Sequence, residues 1–131
     1  MKLSDCHNFE DFRKLAKKKL PSPIFHYIDG GSDDEITLNR NTSSFNDYDL
    51  IPSVLNDVSN IDMSTTVLGE KIDFPLFPAA TAMHRLYHHE GERASAKAVE
   101  KVRTIFGLST MSTVSIEEIA KINKGPKLFQ L

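Results

Sequence analysis

The sequence holds a single cysteine, Cys6, so no disulfide can form within the chain, and a lone thiol near the chain start fits a reducing cytoplasm. Long apolar runs are missing as well. No stretch approaches the ~18 apolar residues of a membrane-spanning helix. The opening Met1-Lys-Leu-Ser-Asp-Cys-His-Asn8 also lacks the apolar heart of a secretion signal. Neither sign of charge is in excess, since 16 Lys and Arg stand interspersed with 18 Asp and Glu for a net charge of −2. That balance argues against nucleic acid or an anionic membrane surface as partner. What remains is ordinary globular composition, 40% hydrophobic and 26% charged over 131 residues, with room for one modest core.

The longest apolar run, Asp73-Phe-Pro-Leu-Phe-Pro-Ala-Ala-Thr-Ala-Met83, organises the rest. It reads as a buried strand covered on both faces, with its core confined to Leu76–Ala80 because Pro75 and Pro78 cannot donate to a ladder. Ala80, Thr81 and Ala82 then offer small residues and open amides to a planar ligand.

Before this run the signals are helical. Asn8 caps a helix that carries Phe9, Phe12, Leu15 and Ala16 at helical spacing, with Asp11 in its first turn and Lys17-Lys18-Lys19 at its end, and Pro21 stops it. Ser22-Pro23 reads as cap and first helical position of a segment over Ile24–Asp29, closed by Gly30-Gly31. Ser32 then reads as the cap of a third helix, with Asp33, Asp34 and Glu35 in its first turn, running to about Ser43. Residues 45–60 read as an extended wrap. Thr65–Leu68 and Lys71–Asp73, separated by Gly69-Glu70, read as a hairpin.

After Met83 strand and helix alternate: a helix from Gly91 to about Val102, a strand at Ile105–Leu108, a helix from Ile116 to about Ile122, and a strand at Lys127–Leu131. The first helix offers Ala94, Ala98 and Val102 to a sheet. The second opens on a capping box, Ser115-Ile-Glu-Glu118, and ends near Asn123-Lys-Gly125. This β-α-β-α-β order predicts a parallel sheet with right-handed crossovers. Because the last strand has no following helix, the chain reads as the N-terminal part of one domain, divided at about residue 60, with the C-terminal remainder missing. His84, His88 and His89 fall on a loop without accompanying carboxylates or thiolates, so no metal is assigned.

Several motifs together resemble one family. Leu20-Pro21, Phe25-His-Tyr27-Ile-Asp-Gly30-Gly31, Asp33-Asp34-Glu35 with Thr37-Leu38 and Asn41, Asn60 through Gly69, Thr81-Ala-Met83, His88-His-Glu90-Gly91-Glu92, Leu108-Ser109-Thr110 and Phe129-Gln130-Leu131 occur in the order and spacing of the FMN-dependent α-hydroxy-acid dehydrogenases and oxidases. This family includes L-lactate dehydrogenase, glycolate oxidase and mandelate dehydrogenase, and the resemblance runs from about Phe9 onward. It implies an α/β fold made of the first three βα strands of a TIM (β/α)8 barrel, an incomplete barrel preceded by N-terminal helices and a hairpin.

The resemblance also implies a chemistry: FMN as cofactor, oxidation of L-2-hydroxy acids to 2-keto acids, and a quinone, cytochrome or oxygen as electron acceptor. Site roles follow. Tyr27 would hydrogen-bond the substrate carboxylate, and Ala80, Thr81, Ala82, Ser109 and Gln130 would seat the flavin, at the strand ends where such barrels keep their chemistry. The base histidine, its aspartate partner, the carboxylate-clamping arginines and the lysine near flavin N1 are expected beyond Leu131, so this stretch alone is expected to be inactive. Ala80 stands where the family usually has proline. Met111 stands where glycolate-oxidising members carry tryptophan, which favours a lactate-type pocket. Members are often tetramers, so a homo-oligomer is expected at full length, and any association with the inner membrane would rest on a later segment. Two other readings stay open: a non-catalytic remnant, and one half of a split flavoprotein.

Overall fold

The computed structural model describes residues 2–131, which fall into two compact units, one through Asn56 and one spanning Asp57–Leu131.

The first unit is helical. Helix α1 (Phe9–Lys19) begins where the Asn8 side chain accepts the Asp11 N–H at 2.9 Å, and its lysine-rich end complements the helix dipole. The Asp11 carboxylate reaches back to the His7 N–H at 3.1 Å. Helix α2 (Ser22–Asp29) is capped by Pro21 rather than Ser22, so the expected boundary moves by one residue and Pro23 falls at the second helical position. Its Asp29 forms a two-pronged ion pair with Arg13 of α1, at 2.6 and 2.9 Å. Leu15 and Phe25 are the buried apolar side chains of this helix pair.

Helix α3 covers Ile36–Ser43, and here the expected start at Ser32 is corrected. Residues 32–35 form a turn closed by Glu35 N–H to Ser32 O at 2.9 Å, with Asp33 and Glu35 both in the left-handed region. The Glu35 carboxylate is occupied with the Gly31 N–H at 3.0 Å. Ser44–Asp47 adds a short 3-10 turn, after which residues 48–56 are irregular and exposed.

The second unit opens on the hairpin of β1 (Thr65–Val67) and β2 (Glu70–Ile72), antiparallel with Thr65 opposite Ile72. Its two-residue turn, Leu68-Gly69, has positive φ at both positions, the conformation that matches the strand twist. Next come α4 (Glu92–Val102), β3 (Phe106–Ser109), α5 (Ile116–Ile122) and β4 (Lys127–Gln130). Strands β3 and β4 pair in parallel through α5, with Phe106 opposite Lys127 and Ser109 opposite Gln130. The core is Ala96, Val99, Phe106, Leu108, Val114 and Ile119.

Two expectations fail here for physical reasons. Leu76–Ala80 joins no ladder, and Leu76 is 67% exposed rather than covered on both faces. With Pro75 and Pro78 unable to donate, the segment's carbonyls turn to a side chain: Thr104 Oγ1 lies 3.0 Å from both Phe74 O and Leu76 O. The segment then meets β3 on the side a Cβ would take, since a Cβ on Gly107 would lie 2.8 Å from Ala80 N and 3.0 Å from Pro78 O. The parallel sheet of the described residues therefore has two strands, and they close no barrel.

The packed face of α4 also differs. Glu92, Ala96 and Val99 are buried, whereas Ala98 and Val102 are exposed and Ala94 is half-buried. Ser115 caps α5 as expected, accepting the Glu118 N–H at 3.3 Å. The reciprocal half of the box is absent, because Glu118 pairs with Arg93 of α4 instead. Among the described residues no helix is long and apolar enough to cross a membrane.

Candidate functional site

Parallel strands joined by a helix deliver their C-terminal ends to one edge, and there the second unit gathers polar groups. Ser109 ends β3 and Gln130 ends β4, opposite one another in register, with the Thr110 N–H donating to Gln130 O at 3.0 Å. Ser109 is 6% exposed, and its Oγ accepts the Met111 N–H at 3.1 Å. That bond uses an oxygen lone pair and leaves the hydroxyl hydrogen to donate. Gln130 is exposed at its strand end.

The segment after the proline-rich run reaches the same edge. Ala80 lies against Gly107, two residues before Ser109, and the Met83 N–H donates to Met111 O at 3.0 Å. Ala80 is thereby held on β3 itself, and Met83 on the loop that follows it. Thr81 is exposed, with its hydroxyl 3.4 Å from Ala79 O. Tyr27 belongs to the first unit, on α2, and is 57% exposed, while Phe25 is the buried aromatic of that helix.

Glu92 is the residue that sequence reasoning missed. It opens α4 at 1% exposure, and its carboxylate ties two loops together. Oε1 accepts the Thr113 N–H at 2.9 Å and the His84 N–H at 3.2 Å, while Oε2 accepts the Thr113 hydroxyl at 2.5 Å. Burial is the largest single influence on this carboxyl and pushes its pKa up. The Thr113 and His84 hydrogen bonds, with the amide at the helix start, outweigh it and hold the group below the ordinary glutamate range. A signal was present: Glu92 stands at helical spacing from Ala96 and Val99, a charged residue on an apolar stripe.

The histidines are placed separately. His84 Nδ1 lies 3.3 Å from Ser95 Oγ, and the His88 and His89 rings face each other at 4.3 Å. Among the described residues no three His, Cys, Asp or Glu side chains converge as a metal site.

Residues 16–131 match the family model of the FMN-dependent dehydrogenases, and the chain belongs to that family. It is 42% identical over 124 residues to glycolate oxidase of Spinacia oleracea, covering 95% of this chain and 34% of the relative. Against L-lactate dehydrogenase of Vibrio parahaemolyticus it is 44% identical over 121 residues, covering 92% of this chain and 32% of the relative. Among solved structures, a soluble mutant of the membrane-associated (S)-mandelate dehydrogenase from Pseudomonas putida superposes with a TM-score of 0.83 at 37% identity, covering 95% of this chain and 36% of that one. The chain thus spans about a third of the length of the curated relatives it matches.

The residues present fit a flavin in their chemistry. A buried hydroxyl with a free hydrogen, a carboxamide at a strand end and a run of small residues packed on β3 are groups that suit a planar, hydrogen-bonding ring.

Proposed function

We propose that this chain supplies the flavin-seating part of an enzyme that oxidises L-2-hydroxy acids to 2-keto acids, with L-lactate as the preferred substrate. The observation that carries the reading is the family match over residues 16–131, taken with the pairing of Ser109 and Gln130 at the C-terminal edge of a parallel sheet. Within it, β3, α5 and β4 belong to an incomplete (β/α)8 barrel, in a single domain that the rest of a family-length chain would complete.

FMN, when bound, takes up the two electrons that the hydroxy acid loses. This chain's own residues hold it. The Ser109 hydroxyl and the Gln130 carboxamide would donate to the ring's polar edge, and the backbone at Ala80, Thr81 and Ala82 would lie along it. Donors aimed at the electron-rich reduced ring stabilise it where it forms. Tyr27 would hydrogen-bond the substrate carboxylate without adding charge. The proton-abstracting and carboxylate-clamping groups lie outside these residues, so residues 1–131 alone would be inactive.

Preference for L-lactate rests on Met111, an exposed side chain on the loop held by Ser109 and Met83. The full polypeptide, assayed with L-lactate, glycolate and L-mandelate under a quinone analogue, a cytochrome and oxygen in turn, tests both parts. Highest kcat/KM for L-lactate supports the assignment; a preference for glycolate would overturn the substrate, and no turnover with any of the three would overturn the enzyme.

A further inference from the structure

Two loops border the edge where Ser109 and Gln130 meet, and each is fastened to the same buried carboxylate. Residues 80–84 include the Ala80–Ala82 backbone proposed to lie along the flavin, and residues 109–113 carry Ser109. One direct bond joins them, Met83 N–H to Met111 O at 3.0 Å. Glu92 adds three more from below: Oε1 receives one N–H from each loop, from His84 at 3.2 Å and from Thr113 at 2.9 Å, and Oε2 receives the Thr113 hydroxyl at 2.5 Å. The residue before Glu92 is tightly packed as well. Gly91, at φ +56°, leaves no room for a side chain, since a Cβ there would lie 2.5 Å from Arg85 Cγ and 3.3 Å from Thr113 Oγ1. A carboxylate buried this deeply, fixed by packing of its own helix, offers a rigid reference point for both loops.

We infer that Glu92 is a positioning residue for the flavin: its carboxylate sets the separation between the turn at Ala80–Ala82 and Ser109, and so the width of the slot the ring enters. This rests on the flavin reading above. Geometry and charge make different demands, and the difference is testable. In Glu92→Gln the remaining oxygen can accept both N–H groups and the amide can donate to Thr113 Oγ1, so position survives without charge. Glu92→Leu keeps the volume and removes every bond. Thr113→Val removes only the Oε2 bond, and Thr113→Ser retains it.

The full polypeptide, stripped of flavin, is titrated with FMN by fluorescence quenching, with amide exchange at His84 and Thr113 followed alongside. Glu92→Gln and Thr113→Ser should bind within about threefold of the parent. Glu92→Leu should weaken FMN roughly tenfold or more and expose both amides, the order expected on losing a buried charge-assisted bond, and Thr113→Val should fall between. If Glu92→Leu fails to fold, the Thr113 pair decides. Parent-like FMN affinity in folded Glu92→Leu or in Thr113→Val would overturn the proposal, and so would Glu92→Gln binding as weakly as Glu92→Leu, because charge rather than position would then matter. A parent protein that takes up no FMN would sink the flavin reading itself and this inference with it, an outcome visible before any substitution is made.

Discussion

Ser109 and Gln130 stand opposite each other at the C-terminal ends of neighbouring parallel strands, and the Thr110 N–H fastens the pair by donating to Gln130 O at 3.0 Å. The register places two polar residues, distant in sequence, side by side. In the full polypeptide, Ser109→Ala removes both the proposed donor to the flavin and the acceptor for the Met111 N–H. The FMN dissociation constant should rise about fivefold, corresponding to ~1 kcal/mol for one hydrogen bond. An unchanged constant would remove Ser109 from the site.

Gly107 is required by space rather than by φ. A Cβ there would approach Ala80 N at 2.8 Å and Pro78 O at 3.0 Å, both backbone atoms that cannot swing aside. Gly107→Ala should therefore lower the urea midpoint by an amount corresponding to roughly 1–3 kcal/mol, the usual range for overpacking. FMN affinity should fall with it, because the displaced segment contains Ala80. A variant with parent-like stability would mean that the 78–80 segment is free to move off β3.

The Glu92 carboxyl is held below its ordinary value of 4.5, so its hydrogen bonds contribute stability that is fully present above that value and is lost as pH falls through the depressed one. The cations nearby are Arg93, whose guanidinium feels the Glu92 charge, and Arg85, against Gly91. Amide exchange at Thr113, corrected for its intrinsic pH dependence, should accelerate as pH drops below 4.5. In Glu92→Gln that added acid dependence should vanish. If it persists, another carboxylate governs the loop.

Tyr27 is exposed on α2, so removing its hydroxyl costs the fold little. Tyr27→Phe should raise KM for the hydroxy acid about five- to tenfold, the loss of one hydrogen bond to a charged group, and leave the FMN dissociation constant unchanged. Equal KM in the two proteins would exclude the carboxylate role.

Local chemistry made much of the helix layout legible. Asn8 and Ser115 cap where their side chains imply, and Leu68-Gly69 turns the hairpin a residue before the Gly69-Glu70 link read from the sequence. What escaped depended on partners distant in sequence. Ser32 reads as a cap, yet the Glu35 carboxylate turns back to the Gly31 N–H and delays α3 to Ile36. The run from Leu76 to Ala80 has the composition of a buried strand, but two prolines and the Thr104 hydroxyl redirect its backbone. The burial of Glu92 cannot be read from its local sequence alone, because the donors that let a carboxylate be buried come from two loops that reach α4 from distant positions. The flavin residues came from motif resemblance. The parallel register of β3 and β4 sets two of them, Ser109 and Gln130, opposite each other at one strand edge.

The most direct measurement is an anaerobic titration of the full polypeptide, reconstituted with FMN, against L-lactate while the flavin absorbance is followed. The account predicts one FMN bound per chain, bleaching on addition of the hydroxy acid, and one equivalent of 2-keto acid formed per flavin reduced. A protein that binds FMN but stays oxidised with L-lactate, glycolate and L-mandelate alike, or that binds no FMN, would contradict it.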